Sequence, residues 1–432
     1  MGKAEDKNIL IRKGRIIDPA KKTESSADVF IKDGIVEKIG KNIKVAGSDI
    51  EVIDAGGLVV CPGFVDMHVH LRDPGFEDKE TIESGAMAAV KGGITTVACM
   101  PNTDPAIDSE HAVKYIMEKS INAACRVLPV AAMTKGLKGR NITEMGLLSQ
   151  AGAVGFSDDG KCVADSMLMY EIMRYSNQFG LPLILHEEDY NISKYGLVHE
   201  GHYSSMLGLE GISGLSDDLM IARDIMLAGR SKAKVHITHL STAAGVEMVD
   251  KAKKDGIDIT CDVTPHHLFF DDSVLSSFNT NFKVKPPIRS SEDRKALAEG
   301  IKSGVIDAVA SDHAPHLDTE KNTTFKLAEF GTIGLETLFS AAYTKLCREE
   351  KLSLAEFISL ITCGPAKILN IDAGKMEEGR EANITVIDTE AEQRIKRGDF
   401  ISKSKNSAFI GQKLRGKIVC TISKGKLVYN NK

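Results

Sequence analysis

Between about Phe64 and Asn370 the chain alternates short apolar runs with helical patterns, and the number of those runs is the tightest constraint on its fold. Eight candidate strands follow in order, at 64–70, 94–100, 126–133, 153–158, 181–186, 234–239, 258–264 and 307–311. Helical periodicity fills the gaps at 81–90, 110–119, 167–179, 219–228, 243–254 and 292–301, several of these preceded by Ser, Asp or Thr as N-caps. Eight β-then-α units predict an α/β fold of the (β/α)8, TIM-barrel type, because an open doubly wound sheet rarely needs so many.

Both ends of the chain have a different texture. The N-terminal part alternates β-like runs with turn signals at Lys13-Gly14, Asp18-Pro19 and Asp33-Gly34. The C-terminal part repeats this with runs at 383–387, 416–422 and 427–429 and a Lys424-Gly425 turn. Neither end can bury a core alone. The expectation is therefore one small composite β-sandwich made of residues 1–61 and 374–432, joined through Cys61-Pro62-Gly63 to a barrel spanning 62–373.

Charge and hydropathy remove whole classes of function. In 432 residues, 55 Lys plus Arg against 60 Asp plus Glu leave a net charge of −5, a balance that argues for a soluble protein and against a nucleic-acid binder, whose backbone contacts demand a basic face. No apolar run approaches the roughly 18 residues of a membrane span. The opening Met1-Gly-Lys-Ala-Glu-Asp6 lacks a signal-type apolar segment and the Ser or Thr that N-myristoylation needs at position 6. Eight Cys with no C-x-x-C spacing read as reduced thiols in a cytoplasm rather than as a disulfide framework.

The candidate chemistry stands at the C-terminal ends of the predicted strands, which in such a barrel converge on one face. Strand one ends in Asp66-Met-His68-Val-His70-Leu-Arg72, strand two in Met100-Pro-Asn102, strand four in Ser157-Asp158-Asp159, strand five in His186, strand six in His239 and strand eight in Ser311-Asp312. His68 and His70, two apart on a strand, share one face. With His186, His239, Asp159 and Asp312 they form a nitrogen and oxygen ligand set suited to Zn2+, larger than one tetrahedral ion uses and matched to two ions sharing a carboxylate. One strand-end histidine alone would read as a structural hydrogen-bonding residue; six such groups at matching positions do not. His236, three residues before His239, is expected on the opposite side of its strand, packed toward helices. His111, His199 and His202 read as bystanders, His266 and His267 are ambiguous, and His313 reads as support for Asp312.

Three motifs carry a resemblance. His68-Val-His70-Leu-Arg72, Met100-Pro-Asn-Thr103 and Ala310-Ser-Asp-His-Ala-Pro-His316, with Lys321, resemble the signatures of dihydroorotases within the amidohydrolase superfamily. The resemblance implies a metal-dependent, reversible step of pyrimidine synthesis in which N-carbamoyl-L-aspartate closes to L-dihydroorotate. It implies zinc as the metal, Asp312 as the acid/base, and substrate contacts from His70, Arg72, Asn102, His316 and the Phe330-Gly331 segment. Related enzymes bridge their metals with a carboxylated Lys at the end of strand four, whereas Gly155-Phe-Ser-Asp-Asp-Gly160 has no Lys before its Asp pair. This resembles the dihydroorotase class in which an Asp bridges, and register against the histidines points to Asp159 rather than Asp158. Lys161 beyond the turn is expected to be solvated. Where the family often has Asn before Pro-Pro, this chain has Lys285-Pro286-Pro287, a cation able to pair with a substrate carboxylate.

Two other functions compete. A hydantoinase or allantoinase would share the first motif, but the missing strand-four Lys and the Pro101-Asn102-Thr103 run speak against it. An inert scaffold for an aspartate carbamoyltransferase would be expected to have lost ligands, and all six stand. The resemblance also admits such a carbamoyltransferase as a partner, and a homo-oligomer as the assembly.

Overall fold

The structure is a computed structural model that describes residues 8–45 and 50–431. The opening segment Met1–Asp6, on which the leader and acylation expectations rest, lies outside the described residues.

Eight parallel strands close into a barrel. Phe64–Val69 pairs with Ile94–Cys99, which pairs with Arg126–Pro129. Ala131–Ala132 carries the third strand on to Phe156–Ser157, and the ring continues through Leu183–Leu185, Val235–Ile237, Ile259–Val263 and Ala308–Val309. A parallel bridge between Val69 and His313 closes it, with the His70 N–H donating to the His313 carbonyl at 2.8 Å. The third strand is interrupted rather than continuous. Pro129 has no N–H to donate, and at Val130 the chain passes from the second strand's ladder to the fourth's.

Helices cover the outside, each fixed by local chemistry. Ile82–Lys91 starts at a Thr81 capping box completed by Ser84, and Ser166–Ser176 starts at Asp165, which accepts from the Met167 and Leu168 N–H groups. Leu215–Ser231 is longer than the expected 219–228, because Asp217 and Asp218 in its first turn suit the positive end of the helix dipole. Apolar side chains fill the barrel's lower interior: Met67, Ala98, Val130, Ile184 and Ala308, plugged from below by Ile368 and Leu369. Polar residues crown this floor.

The two chain ends interleave in one hydrogen-bonded network. Val59–Pro62 lies between Asn8–Asp18 and Ile384–Arg394, and Lys413–Ser423 and Lys426–Asn430 extend the C-terminal side. Ile9, Ile11, Val29, Ile31 and Val60 from one end share a buried cluster with Ile384, Val386, Cys420 and Ile422 from the other. The Lys13-Gly14 pair is not a turn. It is a bulge inside the 11-residue strand Asn8–Asp18, with Lys13 at φ 57° absorbing the extra residue. No described helix is long and apolar enough to cross a membrane.

Candidate metal centre and active site

At the C-terminal mouth of the barrel, two buried triads form around one carboxylate: His68, His70 and Asp159, and Asp159, His186 and His239. Asp159 Oδ1 lies 3.3 Å from His68 Nε2, 3.6 Å from His186 Nδ1 and 3.7 Å from His239 Nε2, while Oδ2 lies 3.5 Å from His70 Nε2. Asp312 Oδ1 adds a second acid to the first triad, 3.1 Å from His70 Nε2 and 3.6 Å from His68 Nε2. The neighbouring Asp158 is committed elsewhere, accepting from the Met133 and Thr134 N–H groups at 2.8 and 2.9 Å and from the Thr134 hydroxyl. Lys161 is exposed.

The cluster is a buried, closely coupled set of acids and imidazoles. Burial raises the Asp159 carboxyl, but the charge of His68 and the close imidazoles of His186 and His239 outweigh it and hold the group well below the usual range. Burial likewise disfavours the imidazolium of His68 and His186, yet Asp159 with Asp312, and Asp159 with Glu188, raise them to about 9 and about 10. His68 Nε2 and Asp159 Oδ1 are buried without a hydrogen-bond partner. Native proteins rarely leave such atoms orphaned, and a metal ion of the zinc type, which takes imidazole nitrogen and carboxylate oxygen, fits both.

Three residues at the same mouth carry left-handed backbone. Arg72, His239 and Asp312 have φ of 62°, 39° and 46°, in the left-handed region that costs L-residues about 1–3 kcal/mol each. Each stands where a strand gives way to a loop and the side chain must turn into the opening.

Above the cluster a second group forms the rim. The Arg72 guanidinium donates to the Pro315 carbonyl and to His316 Nε2, both at 3.2 Å, and His316 Nδ1 faces Glu320 at 3.3 Å. Burial and the nearby Arg72 charge push His316 down to about 3, so it stays neutral and can accept. His70 Nδ1 donates to Asn102 Oδ1 at 2.8 Å, leaving Nε2 for the carboxylates. Lys321 donates to the carbonyls of Glu329 and Gly331 at 2.8 and 2.9 Å, pinning the loop that holds Phe330. Gly331 has φ +141°, and a Cβ there would sit 2.8 Å from that of Ala314, so only glycine fits. Lys285 Nζ is paired with Glu188 Oε1 at 2.6 Å and lies 5.3 Å over the Phe330 ring.

Several residues that sequence reasoning missed or misplaced support this site. His236 was expected to face helices; instead it points into the barrel. Its register partner Ile184 belongs to the interior cluster, whereas its neighbours Val235 and Ile237 pack with the outer core. Counting by twos fails because the strand ends at Ile237, before His239. His313 meets Glu80 at 3.4 Å and accepts from the Gly334 N–H, so it braces the loop rather than the cluster. His267 ties Thr264 to the Pro286 carbonyl. Asn406 was not anticipated at all. From the segment between the last two long strands it reaches the rim, accepting from the His316 N–H and donating to the Ala314 and Gly331 carbonyls.

Fold and site together define a barrel hydrolase that carries a metal-binding histidine and aspartate cluster, and residues 59–428 match the amidohydrolase family. The chain is 43% identical over 425 residues to the dihydroorotase of Acetivibrio thermocellus, covering 98% of this chain and 99% of that protein. It is 45% identical over 424 residues to that of a Thermoanaerobacter species (98% and 97%), and 43% identical over 427 residues to that of Aquifex aeolicus (98% and 99%). The chain belongs to the dihydroorotase group of the amidohydrolase family. In fold it resembles an L-hydantoinase from Arthrobacter aurescens, with a TM-score of 0.86 at 24% identity over 98% of this chain and 96% of that one. A dihydropyrimidinase from Brevibacillus agri gives the same TM-score at 21% identity, covering 98% and 95%.

Proposed function

We propose that this protein is a zinc-dependent dihydroorotase that interconverts N-carbamoyl-L-aspartate and L-dihydroorotate in pyrimidine biosynthesis. The observation that carries the reading is the single carboxylate of Asp159, within 3.7 Å of three imidazoles through one oxygen and 3.5 Å from a fourth through the other. His68, His70, Asp159 and Asp312 would hold one zinc ion, and Asp159, His186 and His239 a second, with Asp159 bridging. When bound, such ions polarise a carbonyl oxygen and lower the pKa of water toward neutrality.

The chain's own residues do the rest. Asp312 takes the proton from the attacking water and passes it to the departing ring nitrogen. Its side chain is 12% exposed against 1–6% for the other five, so it is the member of the cluster that faces the opening. An acid/base positioned in this way contributes about 100- to 10,000-fold. Arg72 grips the substrate carboxylate, with Asn102 and neutral His316 beside it, and a guanidinium fork matches that planar group. His70 borders the same pocket. The backbone at Phe330-Gly331 holds the ring, and Lys285 forms the pocket wall through Glu188.

We further divide the chain into the composite β-sandwich of 1–61 and 374–432 and the barrel of 62–373, a division supported by the shared core of the two ends. Eight free cysteines support a reducing cytoplasmic setting. Leu215, Leu219 and Met226, an exposed apolar stripe on one helix face, support a homo-oligomer. An aspartate carbamoyltransferase is the partner class to test for association.

Metal analysis of the purified protein alongside a substrate panel is the deciding experiment. About two zinc ions per chain and hydrolysis of dihydroorotate in preference to hydantoin and allantoin are expected. Preference for hydantoin would give the enzyme to the hydantoinase class, and absence of any hydrolase activity from the metal-loaded protein would leave the scaffold reading.

A further inference from the structure

Beneath the two triads lies a buried network that the proposed reaction does not use. Asp262, on Ile259–Val263, is fully buried. Its Oδ1 accepts from the His239 N–H at 2.7 Å. Its Oδ2 accepts from His236 Nε2 at 2.9 Å and from the Thr238 hydroxyl at 3.2 Å. The Thr238 oxygen in turn meets His68 Nδ1 at 2.6 Å. The donors can be assigned in one direction. As a metal ligand His68 would use Nε2, on the Asp159 side, so Nδ1 carries the hydrogen and donates to Thr238, which passes its own hydrogen to Asp262. His236 closes the network through Nδ1, 2.9 Å from the Thr260 hydroxyl.

The two arms reach different triads. One runs through a side chain to the ring of His68. The other fixes the backbone of His239, whose φ of 39° is unfavourable without such an anchor. No other carboxylate outside the cluster is bonded both to a group holding His68 and to the His239 backbone among the described residues.

We propose that Asp262, held by His236, is the positioning carboxylate shared by both ion sites, setting the His68 ring through Thr238 and the His239 backbone directly. This rests on the reading of His68 and His239 as ligands, and it predicts a pattern that a merely structural core residue would not give. Partners of this kind typically contribute 10- to 100-fold to metal affinity. Thr238→Val keeps the side-chain shape and cuts only the His68 arm, so it should weaken one of the two ions by about tenfold and leave the other unchanged. Asp262→Asn replaces the charged acceptor of both arms with a neutral amide, so it should weaken both ions, the Thr238-linked one more.

The test titrates zinc from the purified full-length protein with a chelator, resolving two dissociation constants, and compares the visible absorption of the cobalt-loaded forms, which reports ligand geometry. Circular dichroism of the metal-free proteins checks folding. Wild-type protein that binds no ion would refute the metal-centre reading itself rather than this inference. With two ions bound by the wild type, variants whose constants both stay within about twofold would overturn the proposal, as would a Thr238→Val loss spread equally over both ions. If Asp262→Asn fails to fold, Thr238→Val alone decides: loss of one ion's affinity with an altered cobalt spectrum supports the shared carboxylate.

Discussion

At the base of the barrel mouth, His68, His70, Asp159, His186 and His239 have side chains between 1% and 6% exposed and stand at strand ends. At the rim, Arg72, Asn102, His316 and Phe330 stand on loops, and each is held by contacts from distant parts of the chain. The base is positioned by the parallel ladder, so its residues need only the right spacing along each strand. The rim depends on Lys321, on Asn406 and on carbonyls around Gly331. Damage to the base should therefore abolish assembly and chemistry, whereas damage to the rim should change recognition while chemistry survives.

The largest effect is expected at the shared carboxylate. Asp159→Ala removes the only side chain among the described residues that lies within 3.7 Å of all four imidazoles, and two histidines are too few to hold an ion well. The variant should lose at least one ion per chain, the one nearest His186 and His239 first, together with nearly all turnover. The same residue explains how the centre assembles: an aspartate is already ionised near neutral pH, so zinc added to apo-protein in carbon-dioxide-free buffer should restore activity as fast as with bicarbonate. Two ions retained in Asp159→Ala, or a bicarbonate requirement, would put the bridge elsewhere.

Next comes Asp312, the member of the base that reaches toward the rim. Asp312→Asn keeps an oxygen toward His70 but cannot take a proton, so kcat should fall at least ~100-fold while KM and zinc content stay near wild type. Near-normal turnover with intact metal would remove the acid/base role.

Spacing along the strands marked the base in the sequence, whereas Arg72, Asn102, His316 and Phe330-Gly331 at the rim were named only through a family resemblance, and the residues that support them were not marked at all, for a physical reason. Period-two spacing put His68 and His70 on one face, and strand-end position picked out Asp159, His186, His239 and Asp312, because a strand's geometry is local. The same logic misread His236, since the alternation it assumed stops where the strand ends at Ile237. It also missed the break at Pro129 and the bulge at Lys13-Gly14, each a local exception to a regular ladder. For the supports of the rim, local sequence carried little. Asn406 acts on His316 from 90 positions away, and Glu80 is bonded to Ser402 and the Lys403 N–H across more than 300 residues. No periodicity connects such pairs; only the closed barrel and the returning C-terminal segment bring them together.

At the rim, Arg72 should give the larger effect. It is the cation nearest the expected substrate carboxylate, and loss of one partner from a desolvated charge pair costs about 2–5 kcal/mol. Arg72→Met should therefore raise KM for dihydroorotate by roughly 30-fold or more while zinc content is unchanged. Dihydrouracil, which lacks the carboxylate, should be a very poor substrate of the wild type, and similar kcat/KM values for the two compounds would refute the clamp.

Lys285 gives the smallest expected effect and tests where the rim ends. Its ammonium is already paired with Glu188 at 2.6 Å, and its side chain is 25% exposed, so solvent screens part of that interaction. Glu188 keeps the Ser193 hydroxyl and His186 as partners if the lysine is lost. A wall residue of this kind should change KM by less than about tenfold when Lys285→Met is made, corresponding to less than about 1.4 kcal/mol. A direct grip on the substrate carboxylate would instead reproduce the Arg72→Met penalty. Steady-state kinetics of the two variants with dihydroorotate, measured side by side, separate these outcomes. A KM increase in Lys285→Met as large as that in Arg72→Met would mean that Lys285 leaves Glu188 when substrate binds and joins the clamp.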